Sequence, residues 1–218
     1  MYKMFYPKIK RLGDIIISSI LIIIFAPFLL LISLMIKLSD GEEIFLHDPL
    51  RIGLNGKEFF MYKFRTMISN AHKEIMENPK YKKEKREWLK NGGKLKIKDD
   101  PRITWIGKIL RSTDLDELPQ LLNVLKGEMS LVGPRPSYHS EMVRYLKKHP
   151  EKENTVENLW SVRPGLTGVW QVSGRNEIPF RERIEIGAKY AQNYDLVLDL
   201  GILLQTPFVV LTRKGVYE

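Results

Sequence analysis

Residues 15–36 read IIISSILIIIFAPFLLLISLMI, 22 consecutive positions without a charge. As a straight helix the run would reach roughly 33 Å at about 1.5 Å per residue, enough to cross the hydrocarbon of a bilayer. Pro27 stands at its centre, where a missing N–H and a crowded ring kink a helix. Lys3, Lys8, Lys10 and Arg11 precede the run and place the N-terminus on the cytoplasmic side. No small-x-small cleavage site follows, so the segment does not read as a signal peptide. The residues alone fit two forms: a kinked helix that spans, and a kinked helix that enters one leaflet and returns.

The 218 residues suit one domain plus this membrane segment, and 44% apolar content is enough to build a core. Lys and Arg number 35 against 26 Asp and Glu, a formal charge of +9 that draws anions such as nucleic acid, anionic lipid or phosphorylated substrates. No helix-turn-helix, zinc or RNP-type aromatic pattern supports the first of these, so nucleic acid is not an expected partner. With no cysteine, a disulfide framework and cysteine-based zinc sites are excluded.

Beyond the run, Asp40-Gly41, Asp48-Pro49 and Gly53-Leu54-Asn55-Gly56 are turn chemistry, flanked by Ile44–Leu46 and Phe59–Phe64 as a hairpin-like pair of short strands. Residues 69–98 are a charged excursion, helical over 69–90 on the sparse anchors Ala71, Ile75, Trp88 and Leu89, and ended by Asn91-Gly92-Gly93. Leu115, Leu118, Leu122 and Leu125 recur at helical spacing, which predicts a core-facing helix from Asp114 to Lys126 closed by Gly127. Amphipathic helices are expected over 137–149 and 180–194. The apolar tail Leu196–Leu211, interrupted by Asp199, Gln205 and Pro207, suits a membrane surface or the core. The expected fold is α/β, mainly helical with small strand elements. It comprises a membrane-inserted helix–break–helix over 1–39 and a compact domain over 40–218, of which 160–218 is the C-terminal part.

Within that domain, Asp116 and Glu117 stand side by side in STDLDELP, residues 112–119. Taken alone the pair reads as helix capping, with Asp114 at the N-cap and Glu117 three residues on. At a helix start, however, the dipole favours both ionised carboxylates and bound phosphate. A carboxylate nucleophile needs to be ionised, and a magnesium ion shared with substrate phosphates would offset the repulsion between two acids. Basic residues surround the pair in sequence. Arg111 precedes it, Lys63 and Arg65 alternate onto one face of a strand end, and Arg135 is fixed between two prolines in Gly133-Pro134-Arg135-Pro136. Arginine suits bidentate phosphate contact.

The stretch DPRITWIGKILRSTDLDELPQLLNVLKGEMSLVGPRP, residues 100–136, resembles the bacterial sugar transferase family, the monotopic polyprenyl-phosphate hexose-1-phosphate transferases. YKFRTM at 62–67, RPGLTGVWQVSGRN at 163–176, and Lys10-Arg11 and Asp14 ahead of an apolar run with a central proline are similar to the same family. The match covers nearly all of the chain except the charged excursion.

The resemblance implies a re-entrant helix broken at Ala26-Pro27, with Lys10 and Arg11 at the membrane interface. Relatives often carry Ser where Ala26 stands, and Gln where Pro49 stands. It implies that Asp116 is the nucleophile that takes a sugar phosphate covalently from a UDP-sugar and releases UMP, after which a polyprenyl phosphate attacks the intermediate. Glu117 would position Mg2+ with Asp116 or assist proton transfer, and Arg135 would hold the acceptor phosphate. Arg163, Gln171 and Arg175 lie in a block similar to members that use UDP-galactose or UDP-glucose, and would hold nucleotide or sugar. Gly165, Gly168 and Gly174 of that block also make good turns. The family setting is the cytoplasmic face of the bacterial inner membrane, in surface polysaccharide synthesis, with a homodimer as a family-level expectation. Longer relatives carry an N-terminal extension of several transmembrane helices; this sequence resembles their catalytic unit. A non-catalytic membrane scaffold is the competing reading, but it gives no reason for two adjacent acids among fixed arginines.

Overall fold

A computed structural model describes residues 2–40, 43–46, 50–90, 95 and 100–212. The expected turns at Asp40-Gly41 and Asp48-Pro49, the substitution at Pro49 and the Asn91-Gly92-Gly93 stop fall wholly or partly outside these residues.

Helix α1 runs as one element over Tyr2–Asp40, with Pro7 and Pro27 inside it. The sequence suggested an interruption at Ala26-Pro27; the helix instead continues through both. One proline removes a single ladder hydrogen bond, and with apolar helix-compatible turns on both sides and no adjacent glycine the ladder resumes. The outward face of α1 is apolar and exposed: Ile23 is 73% and Leu30 71% exposed.

Both ends of α1 are nonetheless held by the rest of the chain. Near the start, Tyr6, Asp14 and Ser18 are buried. Near the end, Ile32 and Ile36 are buried in a cluster with Phe64, Ile106 and Leu110.

After α1, strand β1 (Arg51–Ile52) and strand β2 (Glu58–Phe59) pair antiparallel. The Gly53–Gly56 turn joins them, with Asn55 and Gly56 at positive φ. The sequence placed the pair at 44–46 and 59–64. Those segments do meet, but through an isolated bridge between Phe45 and Phe64, whose rings stack at 5.9 Å. Helices α2 (Ala71–Glu77) and α3 (Lys82–Lys90) form the charged excursion. Ile75 is its buried anchor, whereas Leu89 is exposed rather than anchoring.

Helix α4 (Trp105–Ser112) is N-capped by Thr104, whose hydroxyl accepts from the Gly107 N–H at 3.0 Å. A 3-10 turn at Leu115–Glu117 leads into α5 (Gln120–Lys126), which Gly127 ends at φ 82. The predicted helix 114–126 is therefore split at Pro119. Strands β3 (Ser130–Val132) and β4 (Ser137–Tyr138) follow, and β4 joins β1 to make a sheet of order β2-β1-β4. Next come α6 (His139–Lys148), α7 (Glu153–Trp160), β5 (Gly165–Thr167), α8 (Val169–Ser173), α9 (Phe180–Asn193) and α10 (Leu196–Thr212).

Strand β5 pairs parallel with β3, Ser130 opposite Gly165 and Val132 opposite Thr167. Here the glycines serve close approach rather than turns. A Cβ on Gly165 would stand 2.1 Å from the Gly133 nitrogen, and one on Gly168 would stand 2.0 Å from the Gly133 oxygen. The main core is built from Phe59, Met61, Leu121, Val124, Met129, Leu131, Val132, Tyr190 and Ile202. A second cluster joins Met142, Tyr145, Val156, Leu159 and Ile184 from α6, α7 and α9.

Candidate active site

Two local features bring Asp116 and Glu117 to one place. The 3-10 turn turns both carboxylates off the start of α5, and the Phe64 N–H donates to the Asp116 carbonyl at 2.9 Å, tying the dyad to the segment that carries Lys63. Lys63 Nζ then lies 3.1 Å from Asp116 Oδ2 and 2.9 Å from Glu117 Oε1, bridging the acids. Arg135 reaches Glu117 with both terminal nitrogens, Nη2 to Oε1 at 3.0 Å and Nη1 to Oε2 at 3.4 Å. Arg111 donates from Nε to the Thr66 hydroxyl at 2.8 Å and carries its charge close enough to act on Asp116.

The two acids titrate in opposite directions. Burial pushes Asp116 above the usual carboxylate range and Glu117 adds to this, while Lys63 and Arg111 offset only part of it. Burial also works to raise Glu117, but Arg135 and Lys63 outweigh it and hold Glu117 well below that range. For Lys63 burial favours the neutral form, and the attraction of Glu117 and Asp116 overcomes it, so its pKa is raised. Glu117 is thus held as an anion, and Asp116 is the acid of the pair that burial makes harder to ionise.

The capping reading fails. Asp114 makes no capping hydrogen bond; it lies at φ 56, and its Oδ2 pairs with Arg175 Nη1 at 2.7 Å. Arg175 is itself at φ 52. Two non-glycine residues in the left-handed region, paired across the mouth of the dyad turn, are the kind of stored strain that gathers at functional sites. The short α5 also weakens the helix-dipole argument, so side-chain cations rather than a dipole hold the acids.

Among the sequence candidates, Lys63, Arg111 and Arg135 converge on the dyad, and Arg175 on the acid two residues before it. Gln171 is buried: Nε2 donates to the Leu166 carbonyl at 3.3 Å and Oε1 has no partner. Arg65 does not repeat the contact of Lys63; its Nε donates to the Glu43 carbonyl. Arg163 lies apart from the dyad. Its Nε donates at 2.8 Å to the carbonyl of Gly127, at the far end of α5 from the dyad. Arg11 joins it there, donating to the carbonyls of Val124 and Leu125. A helix end leaves carbonyls without partners and favours cations, which explains both arginines. Lys10 pairs with Asp199 of α10, which the sequence reading took for a mere interruption. Sequence reasoning also missed Trp170, whose indole lies 5.4 Å from the Arg135 guanidinium and 5.6 Å from that of Arg183.

Two carboxylates are what a magnesium ion needs from a protein when substrate phosphates supply its other ligands. Asp116 Oδ2 is engaged by Lys63 and both Glu117 oxygens by Arg135. These oxygens would open to an ion only where arriving phosphate draws Lys63 and Arg135 away. Among the described residues no group of three or more His, Asp or Glu forms a cage of its own.

The bacterial sugar transferase family model matches residues 5–213. An uncharacterized sugar transferase of Haemophilus influenzae is 47% identical over 96% of this chain and 42% of its own length. The undecaprenyl-phosphate galactose phosphotransferase of Salmonella typhimurium is 41% identical over 96% of this chain and 42% of its own length. The exopolysaccharide production protein ExoY of Sinorhizobium fredii is 40% identical over 95% of this chain and 88% of its own length. The chain thus spans less than half of the first two relatives and most of the third.

Proposed function

Because the chain belongs to the bacterial sugar transferase family, we propose that it transfers a hexose 1-phosphate from a UDP-sugar to undecaprenyl phosphate. The names of the Salmonella and Sinorhizobium relatives support a lipid-phosphate acceptor and a place in exopolysaccharide synthesis. Galactose or glucose phosphate is the cargo we favour. The observation that carries the reading is the bridge of Lys63 across Asp116 and Glu117.

In the proposed reaction, an Asp116 oxygen attacks the phosphorus attached to the sugar. The new Asp116–phosphorus bond forms as the bond to the bridging oxygen breaks, and UMP leaves with that electron pair. The lipid phosphate oxygen then attacks the same phosphorus and releases Asp116 as a carboxylate. Lys63, Arg111 and Arg135 neutralise the phosphoryl oxygens through both steps. Asp116 and Glu117 would hold Mg2+, which would supply further charge neutralisation at the phosphates. As the donor's negative charge arrives, Arg135 and Lys63 divide their contacts between Glu117 and phosphate, and Glu117, held ionised, serves to position the ion rather than as a strong base.

The membrane reading is a same-side one. The start of α1 is held through Tyr6, Lys10 and Arg11, its far end through Ile32 and Ile36, and both by the domain that carries the dyad. A helix pinned at both ends to one domain does not place them on opposite sides of a bilayer, which supports same-side attachment. Exposed Trp105, Ile109, Val197, Leu204 and Phe208 on α4 and α10 extend the apolar surface for interfacial contact. With the basic flank ahead of the apolar run, the reading we favour is the cytoplasmic face of the inner membrane.

Nucleotide product across a panel of UDP-sugars with undecaprenyl phosphate, with and without magnesium, tests the reaction. UMP is expected; UDP would indicate an ordinary glycosyltransferase and sink the proposal. Asp116→Asn should abolish covalent labelling by the sugar phosphate, and a persisting adduct would remove Asp116 as nucleophile.

A further inference from the structure

Arg183, in the first turn of α9, is a cation without adequate partners. Its Nε and Nη2 are shielded from solvent and make no hydrogen bond. The nearest carboxylate oxygen, Glu141 Oε2, is 3.6 Å from Nη2, beyond hydrogen-bond reach, and it already accepts from the Tyr138 N–H at 3.2 Å. What holds the guanidinium in place is aromatic: its carbon lies 4.6 Å from the centre of the Phe180 ring and 5.6 Å from that of Trp170. Ring faces attract a cation but satisfy none of its N–H groups.

Its neighbours are cations too. Arg135 lies 5.4 Å from the same indole, so Arg183 shares a ring contact with the group that grips Glu117. Arg51 lies 3.3 Å over the Tyr138 ring, and its charge reaches Arg183 as well. Burial lowers the Arg183 pKa to about 10, and Arg135 and Arg51 add to the lowering against Glu141 alone. Among the described residues, folding thus sets the Arg183 guanidinium near two others with Glu141 at 3.6 Å, at a cost that an arriving anion would offset.

We propose that Arg183 is a phosphate-binding residue of this site, holding an anionic phosphate group beside Trp170, the ring it shares with Arg135. The proposal rests on the phosphosugar-transfer reading, which requires two phosphorylated substrates at one dyad. The group could belong to the UDP of the donor or to the lipid phosphate of the acceptor; the chemistry is the same, and the two are separable by binding.

Arg183→Met keeps an apolar stem against Phe180 and Trp170 and removes the charge; Arg183→Lys keeps the charge without the fork. The full-length variants in detergent are compared with wild type by thermal unfolding in phosphate-free buffer. Calorimetric titration with UDP and with undecaprenyl phosphate completes the comparison. Arg183→Met is expected to unfold no lower than wild type, because it relieves like-charge crowding. It is also expected to bind one of the two ligands at least about tenfold more weakly, the scale of a lost charge-assisted hydrogen bond, with partial recovery in Arg183→Lys. Loss confined to UDP assigns the donor; loss confined to the lipid assigns the acceptor. A lowered unfolding temperature with both affinities unchanged would show a structural arginine and overturn the proposal, as would unchanged affinities at any stability. The titrations need no turnover. A wild type that binds both ligands yet releases no UMP would sink the reaction and leave the Arg183 result standing.

Discussion

The hydroxyl of Tyr6 donates to Asp199 Oδ2 at 2.6 Å, joining the first helix to the last across 193 positions of sequence. Lys10 shares that oxygen, and the Tyr190 hydroxyl donates to Oδ1 at 2.6 Å, so the buried carboxylate is fully engaged. Asp199→Ala should cost about 3–5 kcal/mol, the range for breaking a buried pair and stranding its cation. Tyr6→Phe should cost about 1.5–3 kcal/mol, because one hydrogen bond to a charged group is lost while Lys10 remains paired. Thermal unfolding in detergent checks both. Equal losses for the two would mean that Asp199 does not act as a hub.

The second prediction concerns pH. In the proposed reaction Asp116 must be ionised to attack, and its pKa is raised, first by burial and then by Glu117. In the stability linkage, a carboxyl whose folded pKa is raised stabilises the fold at pH below its ordinary value, and this contribution is lost as pH rises through the folded value. Activity runs the other way: kcat/KM should fall about tenfold per pH unit as pH drops below the folded pKa of Asp116. Arg111→Gln removes a cation that lowers that pKa, so the acid limb should move to higher pH. Glu117→Gln removes the acid that raises it, so the limb should move to lower pH, whatever the loss in absolute rate. Initial-rate profiles would decide; shifts of the same sign in both variants would refute the electrostatic account.

Gly165→Ala is the third. Its Cβ would fall 2.1 Å from the Gly133 nitrogen and 2.3 Å from the Thr167 carbonyl oxygen, and backbone on both sides cannot turn away as a side chain can. The displaced strand is the one that leads into Pro134-Arg135-Pro136. A loss of about 3 kcal/mol or more is expected. Any folded fraction should show a larger loss of transferase rate than Gly13→Ala, whose Cβ meets nothing within 4 Å. Equal rates in the two variants would mean that β5 does not set the Arg135 turn.

The helices and the acid pair were legible because each has a local cause. Periodic leucines marked α5, Gly127 marked its end, and the Asp116-Glu117 motif marked the dyad. What could not be read was where long side chains go. Lys63 and Arg65 look equivalent two positions apart, yet one bridges the acids and the other serves the Glu43 carbonyl. Arg163 sits in a motif that resembles a nucleotide-binding block, and unpaired carbonyls at the end of α5 claim it instead. Arg183 has no motif in the reading at all; its significance lies in Trp170 and Arg135, brought to it by folding. Asp199 was an interruption until Tyr6, Lys10 and Tyr190 were seen around it. Short strands of two or three residues, such as β1 and β4, carry too little alternation to be found before their partners are known.

The absence of native cysteine makes the topology directly measurable. Lys8 and Lys37 flank the apolar run and both are exposed. In sealed inverted vesicles, Lys8→Cys and Lys37→Cys should react with a membrane-impermeant maleimide to the same extent. In right-side-out vesicles neither should react until the membrane is opened. Lys147→Cys on α6 serves as the reference for the face that carries the dyad. Ile23→Cys, at the exposed apolar middle, should resist the reagent from both sides while it lies in lipid. The burial of Ile32 and Ile36 against the domain supports same-sidedness, because a spanning α1 would pull those two residues out of their cluster with Phe64, Ile106 and Leu110. Opposite sidedness of Lys8→Cys and Lys37→Cys would establish a span and overturn same-side attachment. Removing the two isoleucines' contacts by Ile32→Ala and Ile36→Ala should each destabilise the domain by about 2–5 kcal/mol if they pack in the membrane-bound protein as they do here.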